Sequence, residues 1–164
     1  MIRQLTPDDE EKTIDLIHES LKHEDDLFVG ELVASEENAN TLFFLEVLPC
    51  IIDDDPCFGW FEDSTLLGFS TCSTKINNMY KLKKPAACGV LTLVHYEHRR
   101  KGIGSKLRLE IGKALKQKGI KQFIFEIKKN NEASLSNANS IATKINADPN
   151  LLSYRFLANT DDLQ

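Results

Sequence analysis

The feature that most constrains the fold is the stretch Val94-His95-Tyr96-Glu97-His98-Arg99-Arg100-Lys101-Gly102-Ile103-Gly104-Ser105. It follows an apolar run of strand type, Gly89 to Val94. It leads into a helical pattern in which Ile103, Leu107, Ile111 and Leu115 share one face. Two glycines at such a junction let successive backbone N–H groups turn toward one point and leave no side chain to block approach. The helix behind them adds the positive end of its dipole, and Arg99, Arg100 and Lys101 stand just before them. A strand that feeds a helix through a basic, glycine-bearing turn reads as a phosphate cradle. It implies a chain in which strands are covered by helices.

The rest of the chain agrees. Ile2 to Leu5 reads as a short strand. Thr6-Pro7-Asp8-Asp9 is a helix start, with a hydroxyl cap, Pro at the first helical position and carboxylates in the first turn. Ile14, Ile17 and Leu21 continue that helix to an end near Lys22–Asp26. Ser35-Glu36-Glu37-Asn38 opens a second helix, with Leu42, Phe44, Leu45 and Leu48 on its apolar face, expected to stop at Pro49. Asp53-Asp54-Asp55-Pro56 is a loop. Cys57 to Glu62 and Leu66 to Ser73 form a hairpin around Asp63-Ser64. Residues 74–86 read as a polar loop. Gly119 ends the helix that begins at Ile103, and the alternation of Phe123, Phe125 and Ile127 marks another strand. Asn131 to Ile145 is helix-compatible, Asp148-Pro149 turns the chain, and Leu151 to Leu157 closes it as a strand. The order β-α-α-β-β-β-α-β-α-β predicts an α/β (α+β) fold. It is one mixed sheet covered by helices, a single domain over residues 1–158 with a loose tail at 159–164.

Charge and cysteines narrow the function classes. The net charge of -5 conceals an asymmetry: residues 1–63 hold 18 acidic and 3 basic side chains, residues 98–129 hold 11 basic and 2 acidic ones. Such a chain offers an anion site near the basic stretch and a surface for cations on the acidic half. An acidic chain repels nucleic acid as a whole, so no nucleic-acid partner is expected. Cys50, Cys57, Cys72 and Cys88 are too widely spaced for a C-x-x-C motif and have no paired histidine, so no metal site is expected. No apolar run approaches the roughly 18 residues of a membrane span. The N-terminus turns acidic where a signal peptide would turn apolar. The expectation is a cytoplasmic protein, monomer or homodimer, with no membrane partner.

Among phosphate loops, the Walker pattern fails because no glycine stands five residues before Gly104, and the Rossmann fingerprint fails because its third glycine position is Leu107. The order Arg99-x-x-Gly102-x-Gly104, after a strand and before a helix, resembles the acetyl-CoA pyrophosphate loop of the GCN5-related N-acetyltransferase (GNAT) superfamily. The stretch Ile127-Lys128-Lys129-Asn130-Asn131-Glu132-Ala133-Ser134 is similar to the family's strand followed by an Asn-x-x-Ser/Ala helix start, and Ile141 to Ala147 to its closing helix. Asn146 stands where the closing turn usually has Gly, and about one extra helical turn separates Asn131 from Asn146. The resemblance implies six to seven mostly antiparallel strands, about four helices, and two splayed parallel central strands, Gly89–Val94 and Gln122–Ile127.

It also implies a site. Backbone groups of Thr92, Leu93 and Val94 would pair with the pantetheine arm of acetyl-CoA. The amides from Arg100 through Lys101, Gly102, Ile103 and Gly104 to Ser105 would hold the pyrophosphate, with Arg99 or Arg100 assisting and Lys129, Asn131 or Ser134 near the cofactor. A neutral amine would attack the thioester, with the Val94 amide as oxyanion donor. The tyrosine that often protonates the departing thiolate falls at Ala142. Ser134, Ser136, Ser140 and Tyr154 are the candidate replacements. The segment Glu24-Asp25-Asp26-Leu27 is similar to the acidic segment after the first helix in arylalkylamine N-acetyltransferases of insects and nematodes, making Asp25 and Glu24 candidate bases. His95 and Glu97 are alternatives. The implied reaction is acetylation of a small cationic amine. Acetylation of a protein N-terminus or lysine is a second reading, and a non-catalytic acyl-CoA-binding module a third.

Overall fold

The computed structural model describes residues 1–23, 34–75, 85–129, 132–145 and 153–160. Seven strands form one sheet in the order β1-β2-β3-β4-β5-β7-β6: β1 (Ile2–Gln4), β2 (Cys57–Glu62), β3 (Thr65–Ser73), β4 (Ala86–Val94), β5 (Gln122–Lys128), β6 (Thr143–Ile145) and β7 (Ser153–Asn159). Among the described residues only β4 and β5 run parallel; the other neighbours are antiparallel. The helices are α1 (Glu10–Leu21), α2 (Glu36–Leu42), α3 (Leu48–Ile52), α4 (Ile103–Gln117) and α5 (Glu132–Ile141).

At the second expected helix start Ser35 Oγ accepts from the Asn38 amide at 3.1 Å, whereas at the first the Thr6 hydroxyl turns to donate to Asp9 Oδ2 at 3.2 Å. Pro7–Asp9 is a single 3-10 turn that leads into α1, and Asp9 Oδ2 accepts from the Thr6 amide at 3.0 Å. Arg3 grips the buried Asp9 with two nitrogens, at 2.7 and 2.6 Å, tying β1 to the start of α1. Asp63 and Ser64 both have positive φ, 46° and 70°, so the β2–β3 hairpin closes through a two-residue type I′ turn. Gly119 ends α4 with φ 75°.

Three expectations need correction. The second helix does not stop at Pro49. Proline has no N–H and its ring crowds the carbonyl one turn back. Here Phe43–Val47 widens into a π-turn, the Leu48 amide bonds back to the Phe43 carbonyl, and the helix carries Pro49 on to Ile52. The predicted helix 131–145 ends at Ile141, and Thr143–Ile145 is instead strand β6, paired with Arg155–Leu157. Thr143 and Ile145 are β-branched and suit an edge strand. The residues read as an extra helical turn are therefore a strand. Finally, Asn159 pairs with Gln122, and Thr160 is buried with its hydroxyl on the Ile120 carbonyl at 2.8 Å. The last strand thus reaches Asn159, and residues 161–164 of the expected tail lie outside the described ones.

Two apolar clusters hold the layers together. Leu16, Ile17 and Leu21 of α1 pack with Phe43 and Val47 against Phe61, Phe69, Leu91 and Leu93. Ile111 and Leu115 of α4 and Ala138 of α5 pack with Phe123, Phe125, Ile127 and Phe156. Each fully buried side chain of this size contributes about 1.5–3 kcal/mol. Neighbouring residues of a strand face opposite sides. Leu93 belongs to the α1 cluster while Val94 approaches the start of α4, so helices cover both faces.

Candidate functional site

The site begins with a failure of pairing. β4 and β5 are hydrogen-bonded neighbours only at Ala86, Ala87 and Cys88, opposite Gln122, Phe123 and Ile124. Beyond that, Gly89–Val94 and Phe125–Lys128 diverge, although each keeps its outer partner: β4 stays on β3, and β5 stays on β7 as far as Lys128. The result is a slot between two strands at the centre of the sheet. Gly89 stands at the fork. A Cβ there would lie 3.3 Å from both Phe123 Cζ and Phe125 Cβ, so a side chain would wedge the strands where they still touch.

A bulge causes the divergence. Ser70 opposes Thr92 and Cys72 opposes Gly89, so β4 carries one residue more than β3 across this interval. The buried Thr71 hydroxyl fills the gap, accepting from the Leu91 amide at 3.2 Å and donating to its carbonyl at 3.4 Å. The extra residue bends β4 away from β5.

The bulge also sets which backbone groups face the slot. The amides of Leu91 and His95 are both directed to β3, to the Thr71 hydroxyl and to the Leu67 carbonyl at 2.8 Å. Alternation along an extended strand then turns the N–H and C=O of Thr92 and Val94 toward the open slot, and those of Leu93 toward β3. Leu93, expected among the groups that pair with a ligand, therefore commits its backbone to Phe69, its register partner. The Thr92 side chain is exposed and shares a 2.7 Å hydrogen bond with Ser70.

At the top of the slot the chain makes a single 3-10 turn, Tyr96–His98, and enters α4 through two left-handed residues, Arg100 (φ 62°) and Gly102 (φ 79°). The first helical bond runs from Lys106 N to Gly102 O at 3.0 Å, so the amides of the first turn point out of the helix end, and that turn itself carries no acidic residue. Gly104 is helical. A Cβ on it would meet nothing nearer than Val94 Cγ2 at 3.8 Å, so the fold itself has room for a side chain. The space its glycine leaves lies against Thr92 and Val94, at the mouth of the slot. Gly68 serves the packing instead. A Cβ there would sit 3.1 Å from Ile103 Cγ2 and from the Leu93 carbonyl, and its absence lets α4 start close over β3 and β4. Arg100 and Lys101 are exposed. Arg99 bends back, its Nε donating to the Val94 carbonyl at 3.0 Å, and so braces the turn; Ile103 puts its side chain in the core.

Sequence reasoning missed Arg108. Its guanidinium lies 4.6 Å over the ring of Phe125, the first residue of β5 beyond the fork. Burial lowers its pKa to about 10, so it stays charged at neutral pH, and no acidic partner meets it among the described residues. Its place between Leu107 and Ile111 in the helical pattern was the only available signal.

Other expected residues fall elsewhere. Glu24, Asp25 and Asn131 lie outside the described residues. Ser134 is the third residue of α5, and Tyr154 pairs with Ile127 across β5 and β7. Ser136 is exposed, and Ala142 packs on the α4 cluster. His95 is half-buried and Glu97 exposed, both just past the slot end of β4. His23, beyond the C-terminal end of α1, packs its ring against Tyr96 with centroids 4.0 Å apart and planes tilted by 33°, which brings the acidic first helix to that same end.

A slot between diverging strand edges that ends at a basic, glycine-lined helix N-terminus suits an extended chain finished by a diphosphate. Known proteins point the same way. The sequence pattern of the acetyltransferase (GNAT) family matches residues 15–138. No curated protein matches the chain. Among solved structures, PaiA N-acetyltransferase from Thermoplasma acidophilum in complex with coenzyme A is 25% identical. It superposes with a TM-score of 0.71 over 97% of this chain and 98% of that one. YncA from Salmonella typhimurium, solved with its cofactor acetyl-CoA, is 15% identical (TM-score 0.69; 98% and 94% covered). A ribosomal-protein-alanine N-acetyltransferase from Brucella melitensis is 14% identical (TM-score 0.68; 97% and 98% covered).

Proposed function

The chain belongs to the acetyltransferase (GNAT) family, and we propose that the amine it acetylates is a small cation, an arylalkylamine or a polyamine. As a family member it is an acyltransferase with acetyl-CoA as donor, which sets aside the reading as a non-catalytic module. Its residues fit that donor. Thr92 and Val94 present strand-edge groups suited to a pantetheine arm, the first turn of α4 presents amides suited to a pyrophosphate, and Gly104 leaves the room such a group needs. When bound, acetyl-CoA supplies the acetyl group activated as a thioester.

The observation that carries the choice of acceptor is the meeting of His23 and Tyr96. It joins the end of acidic α1 to the end of β4, where the acceptor must arrive. Glu10, Glu11, Asp15 and Glu19 lie on α1, within an N-terminal half that holds 18 acidic side chains. A negative rim concentrates a protonated amine and repels an anionic acceptor. The likeness of Glu24-Asp25-Asp26-Leu27 to the arylalkylamine enzymes supports the same class.

The chain's own residues have two steps to perform. A base must take the proton of the arriving ammonium, and we assign this to Asp25 with Glu24 beside it. The Val94 N–H, turned toward the slot, donates to the oxyanion as it develops. A departing thiolate has an intrinsic pKa near 8.5 and leaves tolerably without an acid at the Ala142 position. Tyr154 and Ser134 remain the proposed donors should one be used.

The test is release of free thiol from acetyl-CoA with a panel of amines: phenethylamine, spermidine, and peptides with a free N-terminus or a lysine. Turnover is expected with the small amines in preference to the peptides. Turnover on peptides alone would move the assignment to protein N-terminal or lysine acetylation.

A further inference from the structure

We propose that His95, Glu97 and His98 form a binding site for one divalent transition-metal ion of the Zn2+ type, at the exit of β4. The cysteine spacing gave no reason to expect a metal, and the donors come instead from one turn of chain. Tyr96–His98 is a 3-10 turn with three residues per turn, so His95 and His98, three apart, lie on one side of it. Their ring centroids are 5.6 Å apart at 74°. One donor atom from each of His95, Glu97 and His98 lies within 4.8 Å of the others. In a four-coordinate zinc site with bonds of about 2.0–2.1 Å, adjacent donors stand about 3.3 Å apart. The remaining distance is a matter of side-chain rotation, and Glu97 is exposed on the turn.

The surroundings hold the donors ready. The turn is pinned by three bonds: His95 N–H to the Leu67 carbonyl at 2.8 Å, His98 N–H to the His95 carbonyl at 2.8 Å, and Arg99 Nε to the Val94 carbonyl at 3.0 Å. Tyr96 stacks on the His95 ring at 4.8 Å, and its hydroxyl donates to Glu97 Oε1 at 3.2 Å, which orients the carboxylate and leaves Oε2 for an ion. The His95 ring is only weakly engaged, since its Nδ1 takes a 3.4 Å contact from the Glu97 amide. Two imidazole nitrogens and one carboxylate oxygen match the preference of zinc and its neighbours, not of magnesium or calcium. Three protein ligands leave a fourth position open. The proposal does not depend on the choice of acceptor, because ion binding is read without donor or acceptor present.

The test is calorimetric titration of the full chain with Zn2+, and separately with Ni2+, at neutral pH in a non-chelating buffer. The expected result is a single site that saturates at one ion per chain in the micromolar range, with the visible band of four-coordinate cobalt when Co2+ is used. His98→Ala and Glu97→Gln should each weaken binding about tenfold or more, while coenzyme A still stabilises both variants against heat. If His98→Ala is misfolded, His98→Gln takes its place. Wild-type binding no tighter than millimolar, or undiminished binding in the folded variants, overturns the site.

Discussion

The hydroxyl of Thr71 lies 3.2 Å from the Leu91 amide nitrogen and 3.4 Å from the Leu91 carbonyl oxygen, completing both backbone groups of the residue at the bulge of β4. One buried side chain on β3 thereby stabilises the departure of β4 from β5, and the slot depends on that departure. Thr71→Val keeps the shape and removes the hydroxyl. It is expected to cost about 1–3 kcal/mol, because two buried backbone groups lose their partner, and to weaken coenzyme A binding as the bulge rearranges. Thermal unfolding with and without coenzyme A measures both. An unchanged melting temperature would remove Thr71 from this role.

Gly104 separates the demands of fold and ligand. A Cβ there meets only ordinary contacts, with Val94 and Thr92. Gly104→Ala should leave the unliganded protein as stable as before, or slightly more so, since Ala favours a helix by about 1 kcal/mol over Gly. It should weaken coenzyme A binding, and Gly104→Glu should abolish it by placing a carboxylate in the cradle. Calorimetric titration with coenzyme A tests both, and unchanged affinity in Gly104→Glu would refute the cradle.

Arg108 is expected to add a long-range attraction for the ligand's phosphates from beside Phe125. Arg108→Leu should lower coenzyme A affinity about 5- to 10-fold, on the order of 1 kcal/mol, and flatten its dependence on salt. Because burial already disfavours the charge, the same variant should melt no lower than wild type. Equal salt dependence in both proteins would rule the contribution out.

The Arg3–Asp9 pair governs stability in acid. Hydrogen bonds from the Arg3 guanidinium hold the Asp9 carboxyl below the usual carboxylate range, more than offsetting its burial, and Asp9 in turn raises Arg3. A carboxyl depressed in the folded state stabilises fully above its unfolded pKa of about 3.9. It loses that contribution as the pH falls through the folded value. Asp9→Asn should cost about 2 kcal/mol at pH 7, less than for a fully buried pair because the Arg3 side chain is 37% exposed. The difference from wild type should shrink as the pH falls below about 3.9, as urea unfolding at pH 7 and in acid would show.

Asp25→Asn is expected to lower turnover mainly at low pH, where the acceptor amine arrives protonated, and to leave coenzyme A affinity unchanged. An unaltered pH–rate profile would take Asp25 out of the mechanism.

The sequence by itself determined what depends on neighbours along the chain. The capped start at Thr6-Pro7, the Asp63-Ser64 turn, the helix from Ile103 closed by Gly119, and the glycines of the cradle are local choices of backbone dihedral and amphipathic period, written in adjacent residues. The tertiary structure decided what depends on partners far apart in sequence. Pro49 is carried inside a helix because a π-turn forms ahead of it, and Thr143–Ile145 becomes a strand because β7 offers an edge to pair with. The fork at Gly89 exists because β3 and β4 pair one residue out of step around Thr71 and Leu91, and strand register is fixed only when two distant segments meet. Likewise Arg108 came to lie over Phe125, and His23 against Tyr96, through the packing of helices on the sheet, which no local pattern encodes.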